Sequence, residues 1–350
     1  MRVLIIKPTH NCNLKCVYCY DQINKADSSR LTVEDTEKFL TQLREFEDEI
    51  QIVWHGGEPL LMPIETYYKP VYEEVLPKLK FKKVTSAMQT NLTLLTPEIF
   101  AFCEKHQIML GTSFDGINNN LTRHCTEEFW NRWNIIQISN EADKVGALMT
   151  VDWNNCDTLV ESWKSAIVNG LELGFNGYFG NDLTFENQKK IVEGFKKLGD
   201  FLIHEEKWPI NKLPRPFSPF VEYIMNGNLT MCESVDCQFR WISLAPNGDI
   251  YPCGRNWLDK ENTFNFGNIH QQPLLDILNS EKRLKFENDL LEFSESCKDC
   301  KYFGYCNSGC PNTRFLNTGS ITKKDALTCY FVKEIYEYLY QIITSGNFTL

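Results

Sequence analysis

Three cysteines stand close together near the N-terminus, in the run Thr9-His10-Asn11-Cys12-Asn13-Leu14-Lys15-Cys16-Val17-Tyr18-Cys19-Tyr20. Cys12, Cys16 and Cys19 have the spacing C-x3-C-x2-C. A [4Fe–4S] cluster takes four thiolates, so three from one short loop leave one iron open to a small chelating molecule. Zinc and plain apolar packing are the alternatives, but zinc sites favour paired cysteine units with four ligands, and a lone triplet fits that poorly. Eight more cysteines crowd the last part of the chain: Cys232, Cys237, Cys253, Cys297, Cys300, Cys306, Cys310 and Cys329. Eight thiolates complete two four-cysteine sites, and by thiolate chemistry alone zinc suits them as well as iron–sulfur does. Cys103, Cys125 and Cys156 fall outside any ligand spacing. Cys103 lies in an amphipathic helical pattern and reads as core; Cys125 is close in sequence to Arg123.

A loop that holds a cluster must be positioned by the elements around it. Arg2-Val3-Leu4-Ile5-Ile6-Lys7 reads as a buried strand that ends where the triplet begins. Five further strand candidates follow, Ile50–Trp54, Val84–Gln89, Ile108–Ser113, Ala147–Val151 and Leu173–Tyr178, with helical patterns between them. Thr32, Thr96 (before Pro97) and Thr184 are N-cap candidates. Pro70 and Pro77 interrupt the second helix. The alternation predicts an α/β fold with a parallel sheet, and by itself leaves a doubly wound open sheet and a β/α barrel both open. Polar motifs recur at the carboxyl ends of strands, where β/α barrels carry their sites: His55-Gly56-Gly57-Glu58-Pro59, Gln89-Thr90-Asn91 and Ser113-Phe114-Asp115-Gly116. Read locally, the Gly-Gly pair is a turn before a helix and Asp115-Gly116 a type I turn. The Pro-rich stretch Lys212–Pro219 reads as a linker, with a boundary near residue 215. Beyond it, Pro246-Asn247-Gly248-Asp249 reads as a hairpin turn between Trp241–Leu244 and Ile250–Pro252.

The cysteine triplet with Tyr18 before its third member, the Gly56-Gly57-Glu58-Pro59 motif, and the arrays Cys237-x10-Gly248-x4-Cys253 and Cys297-x2-Cys300-x5-Cys306-x3-Cys310 with Cys329 resemble the radical S-adenosylmethionine (SAM) enzymes that carry a SPASM domain. The resemblance covers nearly the whole chain. It implies a partial (β/α)6 TIM-type barrel over residues 1–215, then a small cysteine-rich SPASM domain over residues 216–350 with a β-hairpin and helices. It also implies that the amino and carboxylate groups of SAM ligate the open iron, and that an electron cleaves SAM to methionine and a 5′-deoxyadenosyl radical. Tyr18 would pack near the SAM adenine, and Gly56, Gly57, Glu58 and Pro59 would bring backbone against SAM. Gln89, Asn91 and Ser113 would serve ribose, carboxylate and substrate contacts. Arg123 would pair with the SAM carboxylate, its planar fork suiting a bidentate contact; a solvated surface charge is the other reading. The resemblance implies two auxiliary [4Fe–4S] clusters, one on Cys232, Cys237, Cys253 and Cys310, the other on Cys297, Cys300, Cys306 and Cys329. With the cluster on Cys12, Cys16 and Cys19 that makes three.

SPASM enzymes mostly modify peptides or proteins, and length and layout here resemble the sulfatase-maturing group. That group carries an aspartate base directly after the cysteine of a Tyr-Pro-Cys hairpin. Here Tyr251-Pro252-Cys253 is followed by Gly254-Arg255. A positioned base is needed to deprotonate the oxidised residue, so the missing carboxylate turns the expectation towards a crosslink or related oxidation in a ribosomally made peptide. Formylglycine formation from Cys or Ser in a sulfatase is the alternative, and a non-enzymatic iron–sulfur electron carrier a remote one. Asp115 and Arg255 are the candidates for catalytic contact with substrate. Expected partners are the peptide or protein substrate, an external donor of flavodoxin or ferredoxin type, and a separate leader-binding protein, since the chain starts at its first strand. A net charge of −10 and a pI near 5.3 argue against nucleic acid. No apolar run is long enough for a membrane span and no signal segment is seen, so the expected location is the cytoplasm. In such a compartment fourteen cysteines read as metal ligands before disulfides.

Overall fold

Short apolar runs rich in Ile, Val and Leu form the strands of an α/β fold. A computed structural model of the chain describes residues 1–21, 27–139, 145–180, 182–232, 237–255 and 263–349. They fall into two units, each assembled from separate stretches. The first comprises Met1–Ser113, Asn119–Gly146 and Gln238–Glu287; the second comprises Phe114–Asn118, Ala147–Cys237 and Asn288–Leu350.

In the first unit β1 (Arg2–Ile6), β2 (Glu49–Trp54), β3 (Lys83–Gln89) and β4 (Ile108–Ser113) lie side by side and parallel. Leu4, Ile5 and Ile6 are all buried, as a strand covered on both faces requires. The register sets Ile6 opposite Trp54, and Trp54 opposite Met88. The loops after β1, β2 and β3 therefore leave the sheet at one edge. Thr32 caps the helix Val33–Arg44 and Asp35 answers the cap backbone, a reciprocal box that fixes where the helix starts. Phe39, Leu40 and Leu43 of that helix are fully buried. Pro70 and Pro77 have no N–H to give an α-helical ladder. The chain there runs instead through π-helical turns, Ile64–Tyr68 and Val71–Val75, before the short helix Leu76–Leu79.

The expected hairpin forms from β7 (Trp241–Leu244) and β8 (Asp249–Tyr251), with Gly248 at φ +88° in its turn. It does not stand apart from the sheet. β7 pairs in parallel with β1, Ile6 opposite Leu244, and β9 (Gly267–Asn268) follows β8. The order in this unit is β4-β3-β2-β1-β7-β8-β9. Among the described residues its end strands do not pair with each other, so the sheet is open rather than a closed barrel.

The second unit holds neighbouring strands β5 (Gly146–Val151, from Ala147 on) and β6 (Glu172–Gly177). It also holds the helices Leu159–Val168, Phe185–Asp200 and Ala326–Ser345. Thr184 caps the second of these, accepting from Asn187 N. The last two are tied by Lys196 Nζ to Glu334 at 2.7 Å and by the Tyr338 hydroxyl donating to Asp200 at 2.8 Å. Among the described residues no helix is long and apolar enough to cross a membrane.

Candidate active site and cluster sites

The loop after β1 and the loop after β2 are joined backbone to backbone. His55 N donates to Ile6 O, Gly57 N to Thr9 O and Glu58 N to Asn11 O, at 2.8–2.9 Å. The parallel ladder thus continues past the sheet into the cysteine loop. Such an approach leaves no room for side chains. A Cβ on Gly57 would strike the carbonyl oxygens of His10 and Asn11, and Gly56, at φ +115°, would meet Thr9 O at 2.5 Å.

Glu58 turns back from this junction and is 1% exposed. Its Oε1 accepts from the Thr90 hydroxyl at 2.7 Å and from Leu60 N at 3.0 Å; its Oε2 accepts from Asn91 N at 2.8 Å. Burial raises its pKa, against the pull of the Asn91 and Thr90 donors and the Arg123 charge. Glu58 thereby fixes the end of β3 to the loop after β2. Asn91 carries the connection on, with its side-chain amide donating to Asn13 Oδ1 at 2.9 Å and lying 3.8 Å from Cys12 Sγ. Gln89 Nε2 donates to Ser113 Oγ at 3.3 Å, joining the ends of β3 and β4. Arg123 is 6% exposed, so it is not a surface charge, and its Nη1 donates to the Tyr18 hydroxyl at 3.0 Å. The first unit therefore brings Tyr18, Gly56, Gly57, Glu58, Pro59, Gln89, Asn91, Ser113 and Arg123 to the edge that carries Cys12, Cys16 and Cys19. Asp115 belongs to the second unit, where it is fully buried and its Oδ1 accepts from Thr150 N at 3.2 Å.

Sequence reasoning missed a buried charged group on the same edge. Lys7, 1% exposed, places Nζ 3.6 Å from Asp21 Oδ1 and 5.5 Å from the centre of the Tyr20 ring. His10 Nδ1 lies 3.2 Å from the same Asp21 oxygen. Burial pushes Asp21 up, but Lys7 and His10 outweigh it and hold its carboxyl at about 2. The Tyr20 hydroxyl lies 3.3 Å from His55 Nδ1, which also accepts from Gly56 N. Burial, and then the Lys7 charge, push His55 down to about 4, so it is neutral at pH 7. Arg255 adds a second positive charge acting on Tyr20 and His55. Gly254 packs against this group: a Cβ there would sit 3.6 Å from Lys7 Cε and 3.0 Å from Ile5 Cγ2. The sequence signal was a lysine at the end of a buried strand, where apolar residues are the rule.

No disulfide joins any of the fourteen cysteines. Leu14 N donates towards Cys12 Sγ at 3.4 Å and Cys19 N to Cys16 O at 3.1 Å, which shapes the triplet loop. In the second unit Cys297, Cys300, Cys306, Cys310 and Cys329 line one cavity. Asn307, Ser308 and Gly309 have positive φ in succession, and this reversal turns Cys306 and Cys310 into it. Cys232 and Cys237 also belong to the second unit, and Cys253 to the first. Among the described residues no three Cys, His, Asp or Glu side chains are grouped to hold one metal ion. The five cysteines that line one cavity supply more than the four thiolates a four-iron cluster needs, each binding a different iron. Cys103, Cys125 and Cys156 are buried, and burial raises Cys103 to about 12, the behaviour of an inert core thiol.

A model of the radical SAM superfamily matches residues 6–152, and a model of the SPASM iron–sulfur cluster-binding domain matches residues 232–301. The chain carries a radical SAM domain and a SPASM domain. It is accordingly an enzyme of radical, oxidoreductase-type chemistry. Among its relatives, a cysteine-type anaerobic sulfatase-maturating enzyme of Clostridium perfringens is 25% identical over 98% of both chains. A serine-type enzyme of Bacteroides thetaiotaomicron is 25% identical over 99% of this chain and 90% of its own. Among solved structures, anSMEcpe with bound AdoMet and Cp18Cys peptide superposes with a TM-score of 0.81 at 22% identity, covering 99% of this chain and 98% of that one. Streptococcus suis SuiB bound to its precursor peptide SuiA gives 0.63 at 18% identity, covering 93% and 75%. The two superpositions show a shared fold.

Proposed function

We propose that this radical SAM/SPASM enzyme oxidises a residue of a ribosomally made peptide, removing two hydrogens and leaving a crosslink or a related modification. Gly254 carries the reading: where the sulfatase-maturing group places an aspartate base, this chain has no side chain and packs against the Lys7 methylenes. The cofactors in this reading are SAM and three [4Fe–4S] clusters. Cys12, Cys16 and Cys19 hold the first; the auxiliary pair take Cys232, Cys237, Cys253 and Cys310, and Cys297, Cys300, Cys306 and Cys329. With these bound and reduced, the site supplies a 5′-deoxyadenosyl radical that takes a hydrogen atom from the substrate. The residues of the chain do the positioning. Arg123 and Tyr18 hold SAM, Gly56 and Gly57 admit it against backbone, and Asn91 fixes the cysteine loop beside it. Arg255 contacts the peptide, whereas Asp115, fully buried with its carboxylate on Thr150 N, offers it no surface. An auxiliary cluster held by the C-terminal cysteines would accept the remaining electron, and the accompanying proton would pass to water, which balances the loss of two hydrogens. An external flavodoxin- or ferredoxin-type donor, a separate leader-binding protein and a cytoplasmic setting complete the reading; fourteen cysteines without a disulfide support a reducing compartment.

A second reading, formylglycine formation from Cys or Ser, is favoured by the similarity to sulfatase-maturating enzymes along 98% of both chains. One experiment separates the two. The reconstituted enzyme is incubated anaerobically with SAM, reductant and either a short precursor peptide encoded beside its gene or a sulfatase-derived Cys or Ser peptide. Products are analysed by mass spectrometry before and after a hydrazide probe. A precursor peptide lacking two hydrogens and inert to hydrazide supports the first reading. A hydrazide-reactive aldehyde on the sulfatase peptide, with the precursor unchanged, overturns it in favour of the second.

A further inference from the structure

Arg314 lies four residues beyond Cys310, in the helix Pro311–Thr318, and lines the five-cysteine cavity although it is only 3% exposed. Its guanidinium is held from three sides. Nε donates to Ile321 O at 2.5 Å, Nη1 donates to Ser308 O at 2.6 Å, and the plane lies 3.9 Å over the Phe293 ring. Burial lowers its pKa to about 10, with Cys310 and Cys297 acting in the opposite direction, so it stays cationic at neutral pH. Asp325 is the buried carboxylate that faces it, and is itself engaged by Leu327 N and the Thr328 hydroxyl. The cavity's other cations, Lys324 and Lys333, are both exposed. A fixed charge out of water acts on its neighbours far more strongly than a solvated one. The potential of an iron–sulfur cluster responds to nearby charge and to solvent exposure.

We infer that Arg314 is a positioned charge that raises the reduction potential of the cluster on Cys297, Cys300, Cys306 and Cys329, by favouring the extra negative charge of its reduced form. This rests on the cluster reading above. The test is an EPR-monitored redox titration of the reconstituted holoenzyme, with thermal melting of the cluster-free chain alongside it. The signal that Cys329→Ala removes or alters identifies the cluster. Arg314→Gln should lower its midpoint so that the reduced-to-oxidised ratio at the parent midpoint falls about tenfold, or about 59 mV for one electron. Arg314→Lys keeps the charge but not the fork, and should recover most of that shift even where its melting temperature falls with the Gln variant. Asp325→Asn keeps a helix-capping oxygen and removes the opposing charge, so it should move the midpoint upward; this variant carries the test if Arg314→Gln does not fold. Equal shifts in the Gln and Lys variants, or unmoved midpoints in the Gln and Asn variants, overturn the inference and leave Arg314 as a brace between Ser308 and Ile321. Unchanged iron content and spectra in Cys329→Ala would instead overturn the cluster reading itself.

Discussion

Replacing Glu58 tests the account of how the site is held together. Three buried donors converge on its carboxylate: Leu60 N, the Thr90 hydroxyl and Asn91 N. Alanine leaves all three without an acceptor in a place that is 1% exposed. An unmet buried donor costs roughly 1–3 kcal/mol, so Glu58→Ala should lose at least about 3 kcal/mol, and about 6 if water does not enter. Glutamine keeps the shape and one oxygen. Its amide then faces a backbone N–H, donor against donor, while the Thr90 hydroxyl can rotate away, so Glu58→Gln should lose about 1–3 kcal/mol. Bound clusters would spoil two-state unfolding, so the measurement is urea denaturation of the cluster-free chain. The same variants, reconstituted, should bind SAM more weakly in the same order, since Glu58 anchors Asn91 and Asn91 anchors the cysteine loop through Asn13. If Glu58→Ala unfolds within about 0.5 kcal/mol of the parent, the size expected of a neutral surface change, the clamp is not what holds these loops.

Gly57→Ala puts a methyl against the His10 and Asn11 carbonyls; overpacking of this kind costs roughly 1–3 kcal/mol, and iron retention at the N-terminal cluster should fall, measured by iron analysis after reconstitution. His55 should make the cluster-free chain acid-sensitive. Its pKa is lowered from 6.5 to about 4, so the unfolded chain takes up the proton first, and stability is full above 6.5 and lost as pH falls towards 4. The loss approaches about 3 kcal/mol, and His55→Gln should flatten that window of a melting-temperature-against-pH series. Arg123→Ala should weaken SAM binding by roughly 2–4 kcal/mol through loss of a charged carboxylate partner, read by equilibrium dialysis, while iron content stays at the parent level; unchanged SAM affinity would show that Arg123 serves only to brace Tyr18.

Much of the fold was legible because its signals are local. The Thr32, Thr96 and Thr184 caps lie where their helices start, and the six apolar runs became strands β1 to β6 within a residue of their expected ends. What periodicity does not carry is pairing. The hairpin at residues 241–251 was readable as a hairpin, but nothing in it says that β7 docks in parallel on β1. The same limit hid the charged group at the site: Lys7 and His55 are far apart in sequence and become neighbours because the register sets Ile6 opposite Trp54. Glu58 was legible as part of a motif thought of as backbone, and the structure gives its side chain a separate task. Arg314 carries no local signal that sets it apart from a surface arginine between Cys310 and Cys329. An arginine in a helix is ordinarily solvated, and only the packing of Phe293 and two carbonyls shows that this one is buried.

The central claim is that Cys12, Cys16 and Cys19 hold a cluster that cleaves SAM. The direct measurement is 5′-deoxyadenosine formed by the reconstituted chain with SAM and dithionite under anaerobic conditions, compared with the triple Cys12→Ala, Cys16→Ala, Cys19→Ala variant. The parent should release 5′-deoxyadenosine. The variant should release none and should lose about a third of the iron, as one four-iron cluster of three. A variant that still forms 5′-deoxyadenosine, or that keeps all of the iron, would contradict the account.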